Sequence, residues 1–171
     1  LPKTKKAALI TTIHDLALYK FPDTAHPQIK AKHQTSIKRA IEFNADFIAV
    51  SEATKKDLID LFKVDPSTVH VIHEALPEEA KIEFNRHHAQ DVRQRFTILK
   101  PFFLCIGTPE PRKNYLNIIK AFHPFSKDYQ LVIVGGKGWQ DLPKDENIIL
   151  TGHVDGEELA LLYQEANVLI Y

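Results

Sequence analysis

The 171-residue chain has one cysteine and no methionine, and its 22 Lys and Arg are matched by 22 Asp and Glu. A single thiol cannot close an internal disulfide, so a disulfide scaffold is excluded. With no net charge and no Lys/Arg run interleaved with aromatics, the chain lacks the basic face that phosphate-backbone binding needs, which argues against a nucleic-acid partner. Long apolar runs are missing as well: none approaches the roughly 20 residues that cross a bilayer. The opening Leu1-Pro2-Lys3-Thr4-Lys5-Lys6 is too short and too polar for a secretory signal. A chain that starts at Leu1 and holds no Met reads as part of a longer gene product. What remains, 44% hydrophobic and 26% charged residues, is the profile of a soluble globular protein compatible with a reducing compartment. The length suits one ordinary domain or two small ones.

Short runs rich in β-branched and aromatic residues predict strands at Ala7 to Ile13, Asp46 to Val50, Val69 to Ile72, Phe102 to Ile106, Gln130 to Val134, Asn147 to Thr151 and Asn167 to Tyr171. Their nearly continuous apolarity predicts parallel sheets covered on both faces. Between them, Ile37, Ala40, Ile41 and Asn44 keep helical spacing, as do Ala53, Leu58, Ile59, Leu61 and Phe62 behind a Ser51 cap. Leu116, Ile119, Lys120 and Phe122 predict another helix. Asp155-Gly156-Glu157-Glu158 reads as a capping box opening the Leu159, Leu162, Tyr163, Ala166 stripe. Alternating strand and helix predicts an α/β fold with a doubly wound sheet. From about Glu74 to Lys100 the strand signal stops; the stretch holds Pro77, the charged Glu78-Glu79-Ala80-Lys81 and the polar run from Asn85 to Asp91. This predicts a boundary between two α/β units, residues 1–84 and 85–171. A surface loop plus one amphipathic helix within a single sheet is the other reading of the same stretch.

Four loops at strand carboxyl ends could carry chemistry, because ligands of parallel α/β sheets sit there. In Thr12-Ile13-His14-Asp15-Leu16, His14 can exchange a proton near neutral pH, with Asp15 to fix its tautomer, or it can simply satisfy loop backbone groups. In Gly107-Thr108-Pro109-Glu110-Pro111-Arg112-Lys113-Asn114, two cations sit at a helix N-terminus, where the macrodipole disfavours them by a few tenths to about 1 kcal/mol each. A phosphate or diphosphate would relieve that cost, with Gly107 letting backbone come close. The alternative is a solvated turn in which Glu110 offsets Arg112. Val134-Gly135-Gly136-Lys137-Gly138-Trp139 fits neither the dinucleotide fingerprint nor the P-loop, and reads either as a tight turn with φ > 0 or as a close approach of backbone to a ligand. Thr151-Gly152-His153-Val154 could present backbone groups to the edge of a planar base, with Val154 packing on it. Motifs for metals are missing: there is no H-E-x-x-H, C-x-x-C or D-x-D. His70, His73 and Glu74 have only loose ligand spacing, and Cys105 reads as a buried, inert thiol.

Taken in order, the Thr-Ile-His-Asp-Leu segment at 12–16, Ala49-Val50-Ser51-Glu52-Ala53-Thr54-Lys55-Lys56-Asp57-Leu58, the 107–114 loop, Val132 to Trp139, and Gly152-His153-Val154 with Glu158 to Tyr163 resemble the retaining family-4 glycosyltransferases of the GT-B fold. The resemblance covers nearly the whole chain and is weakest from Glu74 to Leu99. It implies two Rossmann-like parallel-sheet units, both incomplete here: the later part of an acceptor-side domain and the first half of a donor domain. It also implies a hexosyl-type enzyme moving a sugar, with retention, from a nucleotide-diphosphate sugar to a glycan, lipid-linked or small-molecule acceptor. The donor is a co-substrate; no other cofactor and no metal is implied. His14 resembles the histidine that faces the transferring sugar, and Lys113 the lysine that neutralises the donor diphosphate, with Arg112, Gly107 and Thr108 beside it. Gly135 and Gly136 resemble the donor-side glycine turn, and Val154, after His153, falls where backbone meets the base. Thr108 stands where many members carry Arg, and His73-Glu74-Ala75-Leu76-Pro77 replaces the usual Asn-Gly-Val-Asp turn. Members often build surface polysaccharides, which implies a cytoplasmic setting compatible with peripheral contact at the inner membrane face. A non-catalytic nucleotide-binding or interaction module derived from the same fold is the alternative function.

Overall fold

The computed structural model describes residues 7–24, 27–77, 81, 83 and 85–171. The N-terminal hexapeptide and Glu78, Glu79 and Ala80 of the charged cluster lie outside the described residues. The chain divides into two compact units, Leu1–Ala75 and Leu76–Tyr171.

In the first unit, β1 (Ile10–Ile13), α1 (Ala17–Lys20), α2 (Pro27–Glu42), β2 (Asp46–Ala49), α3 (Glu52–Phe62) and β3 (Val69–Val71) build a three-stranded parallel sheet in the order β1-β2-β3. Ser51 caps α3 as its sequence suggests, its Oγ accepting the Thr54 N–H at 3.1 Å. The α2 and α3 stripes, Ile37, Ala40 and Leu58, pack with Ile13, Phe47, Ala49 and Val69 into one core. Register puts Ile10, Thr12, Asp46, Ile48 and His70 on the other face. There Ile10 is 61% exposed, and Thr12 and His70 are exposed too. Among the described residues of this unit, helices cover one face of the sheet, and burial alternates with the two-residue period of a strand.

The second unit contains α4 (Arg86–Arg95), β4 (Phe102–Ile106), α5 (Tyr115–Phe122), β5 (Gln130–Val134), β6 (Ile148–Gly152), α6 (Gly156–Glu165) and β7 (Val168–Ile170). Its sheet is parallel, in the order β6-β5-β4-β7. Here both faces are covered. Phe102, Leu104, Val132 and Val134 meet α4 and α6 on one side, while Cys105, Leu131 and Ile133 meet α5 on the other. Every residue of β5 is buried. The strand-free polar run expected near Asn85 is α4: the Asn85 side chain accepts N–H groups of His87 and His88 at 3.1 and 3.2 Å, and Ala89 and Val92 are its buried residues. The Asp155 capping box is present, with Glu158 N–H donating to Asp155 Oδ1 at 2.8 Å and Asp155 N–H to Glu158 Oε2 at 3.3 Å. The connection from β5 to β6 is a crossover without a helix.

Candidate functional site

In each unit the loops singled out in the sequence leave the carboxyl edge of the sheet. In the second unit the chain runs from β4 outward through β5 and β6, then crosses back to place β7 on the opposite side of β4. The crevice between the carboxyl ends of β4 and β7 is thus a topological switch point, where parallel α/β sheets bind ligands. A cavity of about 250 Å³ lies there, lined by Ile106, Arg112, Lys113, Asn114, Tyr115, Ile118, Ile170 and Tyr171.

The loop that walls this cavity is built around Gly107. Its φ of +132° is a conformation that side-chain-bearing residues rarely adopt. A Cβ at Gly107 would also meet Lys113 Cε at 3.0 Å, so the lysine stem lies across the glycine. The Gly107 N–H donates to the Val134 carbonyl at 2.8 Å, and the Gly107 carbonyl accepts the Tyr115 hydroxyl at 2.8 Å. Residues Pro111–Lys113 form one 3-10 turn, and Asn114, with φ of 58°, links it to α5. Lys113 Nζ sits 5.0 Å from the centroid of the Tyr171 ring. This leaves a cation lining the same cavity as Tyr115 and Ile118, at the start of α5. That combination suits an anion. Burial, followed by the charges of Cys105 and Glu110, pushes the Tyr115 hydroxyl up to about 12, so it is a fixed donor to Gly107 and not a proton shuttle at neutral pH. Burial pushes the Cys105 thiol up to about 12 as well, in keeping with an inert residue.

Arg112 is placed differently from Lys113. Its Nη2 donates to Glu110 Oε1 at 2.5 Å, so its charge is matched within the turn. Gly135 is not a positive-φ turn. A Cβ there would fall 2.3 Å from the Gly107 carbonyl oxygen, so the close approach that demands glycine is to the chain's own backbone. Gly136 has open space around it. Gly138 would put a Cβ 1.8 Å from the Pro109 carbonyl, which also accepts the N–H groups of Trp139 and Gln140 at 3.1 and 3.2 Å. Gly135 N–H donates to the Gly152 carbonyl at 3.0 Å. The ends of β4, β5 and β6 are therefore stitched into one rim, which brings Gly107, Thr108, Gly135 and Gly152 together. Past that rim His153 is exposed, whereas Val154 is buried in the core shared with α4 and α6. Its side chain is not available to pack on a base; only its backbone is in question. A second, open cavity of about 840 Å³ borders the same rim from Pro109 and Gly135 to Gly152.

In the first unit His14 follows β1 and is exposed. Its Nδ1 lies 2.7 Å from Glu74 Oε1, across the end of β2. Asp15 does not orient it: Asp15 Oδ1 accepts the Ala17 N–H at 2.9 Å, at the start of α1. His73 Nδ1 donates to the Val50 carbonyl at 3.0 Å, and His70 Nε2 lies 3.5 Å from Asp46 Oδ1. These three groups have separate partners and do not converge on a shared point. Glu74 and Tyr115 are the contacts that residue patterns alone did not single out for these roles. Their partners lie 60 and 8 residues away in the chain, and neither spacing matches a motif.

Two parallel α/β units, one with a glycine loop and a lysine at its switch point, define a two-unit Rossmann-like α/β architecture. Residues 1–79 match the family described as Glycosyltransferase Family 4, and residues 90–171 match Glycosyl transferases group 1. The chain belongs to the family-4 glycosyltransferases of the GT-B fold. It is 24% identical over 177 residues to O-antigen chain mannosyltransferase B of Escherichia coli, covering 95% of this chain and 46% of that protein. It is 22% identical over 169 residues to O-antigen chain mannosyltransferase RfbU of Salmonella typhimurium, covering 94% and 44%. Among solved structures, Anabaena Alr3699/HepE in complex with UDP-glucose superposes with a TM-score of 0.66 at 15% identity, over 95% of this chain and 46% of that one. A glycosyltransferase from Rickettsia africae ESF-5 gives 0.59 at 14%, over 94% and 44%. The chain thus spans about half the length of the curated relatives it matches. Among the described residues, no helix is long and apolar enough to cross a membrane.

Proposed function

We infer that the gene product transfers a hexose, of the mannosyl type, from a nucleotide-diphosphate sugar to a growing surface glycan, with retention at the anomeric carbon. The observation that carries the reading is Lys113, held over Gly107 at the switch point of the second unit, in a cavity it shares with Tyr115 and Ile118 of α5. A departing nucleoside diphosphate gains negative charge in the transition state, and a fixed cation with aligned N–H groups stabilises that charge where it develops. Arg112, neutralised by Glu110, has a lesser part. On the first unit, His14 is the group assigned to the transferring sugar. The mannosyl specificity follows the names of the curated relatives, and the nucleotide-sugar donor follows UDP-glucose in the Anabaena structure. The reading requires no resident cofactor or metal, and places the protein in the cytoplasm with peripheral contact at the inner membrane face.

Thermal melting of the complete gene product against a panel of UDP- and GDP-hexoses tests the donor class. A bound donor at a hundred times its Kd stabilises the native state by about 2.7 kcal/mol. Lys113→Ala should lower turnover by tens to hundreds of fold, about 2–4 kcal/mol in barrier, while leaving the melting point of the unliganded protein unchanged. No stabilisation by any nucleotide sugar, or unchanged kinetics in the lysine variant, would overturn the assignment.

A further inference from the structure

We propose that Glu74 is a positioning residue for His14: it keeps the imidazole proton on Nδ1 and so leaves Nε2 as the acceptor for a sugar hydroxyl. The proposal rests on the transferase reading above. Its starting point is the 2.7 Å contact between His14 Nδ1 and Glu74 Oε1. An ionised carboxylate can only accept, so the ring nitrogen must donate, and in a neutral ring the lone pair then sits on Nε2.

Both side chains are well exposed, at 69% and 63%, so the pair is not a packing contact. Exposed ion pairs contribute little to stability, which leaves the contact without a structural purpose of its own. The backbone on both sides is nonetheless held in place. The His14 carbonyl accepts the Thr54 hydroxyl at 3.2 Å, and Thr54 is buried and bonded to the capping Ser51 at 3.0 Å. On the other side the chain leaving β3 stays tied to β2: Ile72 N–H donates to the Ala49 carbonyl at 3.0 Å, and the His73 ring donates to the Val50 carbonyl at 3.0 Å. Glu74 is the next residue. It is thereby delivered over the end of β2 to the loop after β1. Asp15, next to His14 in the chain, is engaged at the start of α1 and does not compete.

Long-range proton–nitrogen NMR correlation on the chain labelled with ¹⁵N-histidine, at a pH where the ring is neutral, reads the tautomer directly. The expected wild-type signature is a protonated Nδ1 and an unprotonated Nε2 at His14. Glu74→Gln, whose amide oxygen still accepts, should keep it, and Glu74→Ala should shift the proton toward Nε2. In the complete gene product, Glu74→Ala should lower kcat/KM about tenfold and Glu74→Gln by no more than about threefold, as expected for loss or retention of one hydrogen bond. Glu74→Ala added to His14→Ala should change nothing further, because the two act through one group. A wild-type Nε2–H tautomer, a tautomer indifferent to residue 74, or additive kinetic losses would each overturn the proposal. Failure of the transferase reading looks different: a wild-type gene product that moves no sugar while the His14 tautomer still follows residue 74. That outcome overturns the sugar hydroxyl as ligand and supports the tautomer assignment.

Discussion

The sheet of the second unit is dry on both faces, with β5 buried from end to end, whereas the sheet of the first unit is dry on one face and wet on the other. In the second unit the faces are used up by packing, so chemistry is confined to the carboxyl rim and is made largely of backbone, glycine and one lysine. In the first unit the open face and the rim are both free to carry polar side chains, and the pairs His70 with Asp46 and His14 with Glu74 occur there.

The largest effect that tests this comparison comes from the cores. Leu104→Ala and Leu131→Ala remove fully buried side chains from opposite faces of the second sheet. Each should cost about 2–5 kcal/mol in urea denaturation. Ile10→Ala on the open face of the first sheet should stay within about 0.5 kcal/mol. A loss at Ile10 equal to that at Leu104 would show that face to be covered and would break the comparison.

Next come the rim glycines. Gly135→Ala and Gly138→Ala force a methyl into backbone of the 107–109 loop and should each cost about 1–3 kcal/mol, by the overpacking rule. Gly136→Ala, with nothing within 4 Å, should be close to neutral in the same denaturation experiment. Equal costs at all three positions would mean that the loops do not meet as described.

The smallest effect is in alkali. Cys105 and Tyr115 ionise near 9 and 10 when exposed but hold their protons to about 12 in the folded second unit. Between those limits the native state binds more protons than the unfolded one, so stability is intact below about pH 9 and falls as pH rises toward 12. Burial shifts Tyr19 of the first unit in the same direction. Hydrogen exchange followed from pH 8 to 10.5 should show protection falling faster in β4 and β5 than in β1 and β2. Equal loss in both sheets would remove burial of Cys105 and Tyr115 as the cause.

Much of this architecture was legible in the residues. β4 and β5 match their predicted limits because Phe102 to Ile106 and Leu131 to Val134 are unbroken apolar runs, the second opened by the buried Gln130. The Ser51 and Asp155 caps were equally readable, since a cap is a local bond between residues three apart. β6 runs one residue later than expected, to Gly152, past a register irregularity opposite Ile133 and Val134. The wet face of the first sheet was hidden because Ile10, Ile48 and Ile72 look like core residues in one dimension. α4 was obscured because Ala89 and Val92 are its only buried residues, although the Asn85 cap was a usable signal. At the candidate sites, the lysine loop could be read from its own residues. The need for glycine at 135 could not, since the atom it avoids belongs to Gly107, and neither could the partner of His14, which follows a different strand.

The carbonyl of Pro109 accepts two consecutive N–H groups from the helix-free crossover, and the first belongs to Trp139, the only tryptophan in the chain, whose side chain is about half exposed. The protein therefore carries its own optical gauge. Any occupant that shifts the 107–113 loop pulls on the backbone of a half-exposed indole, and its emission should move in step with occupancy, with no label, no mutation and no product to detect.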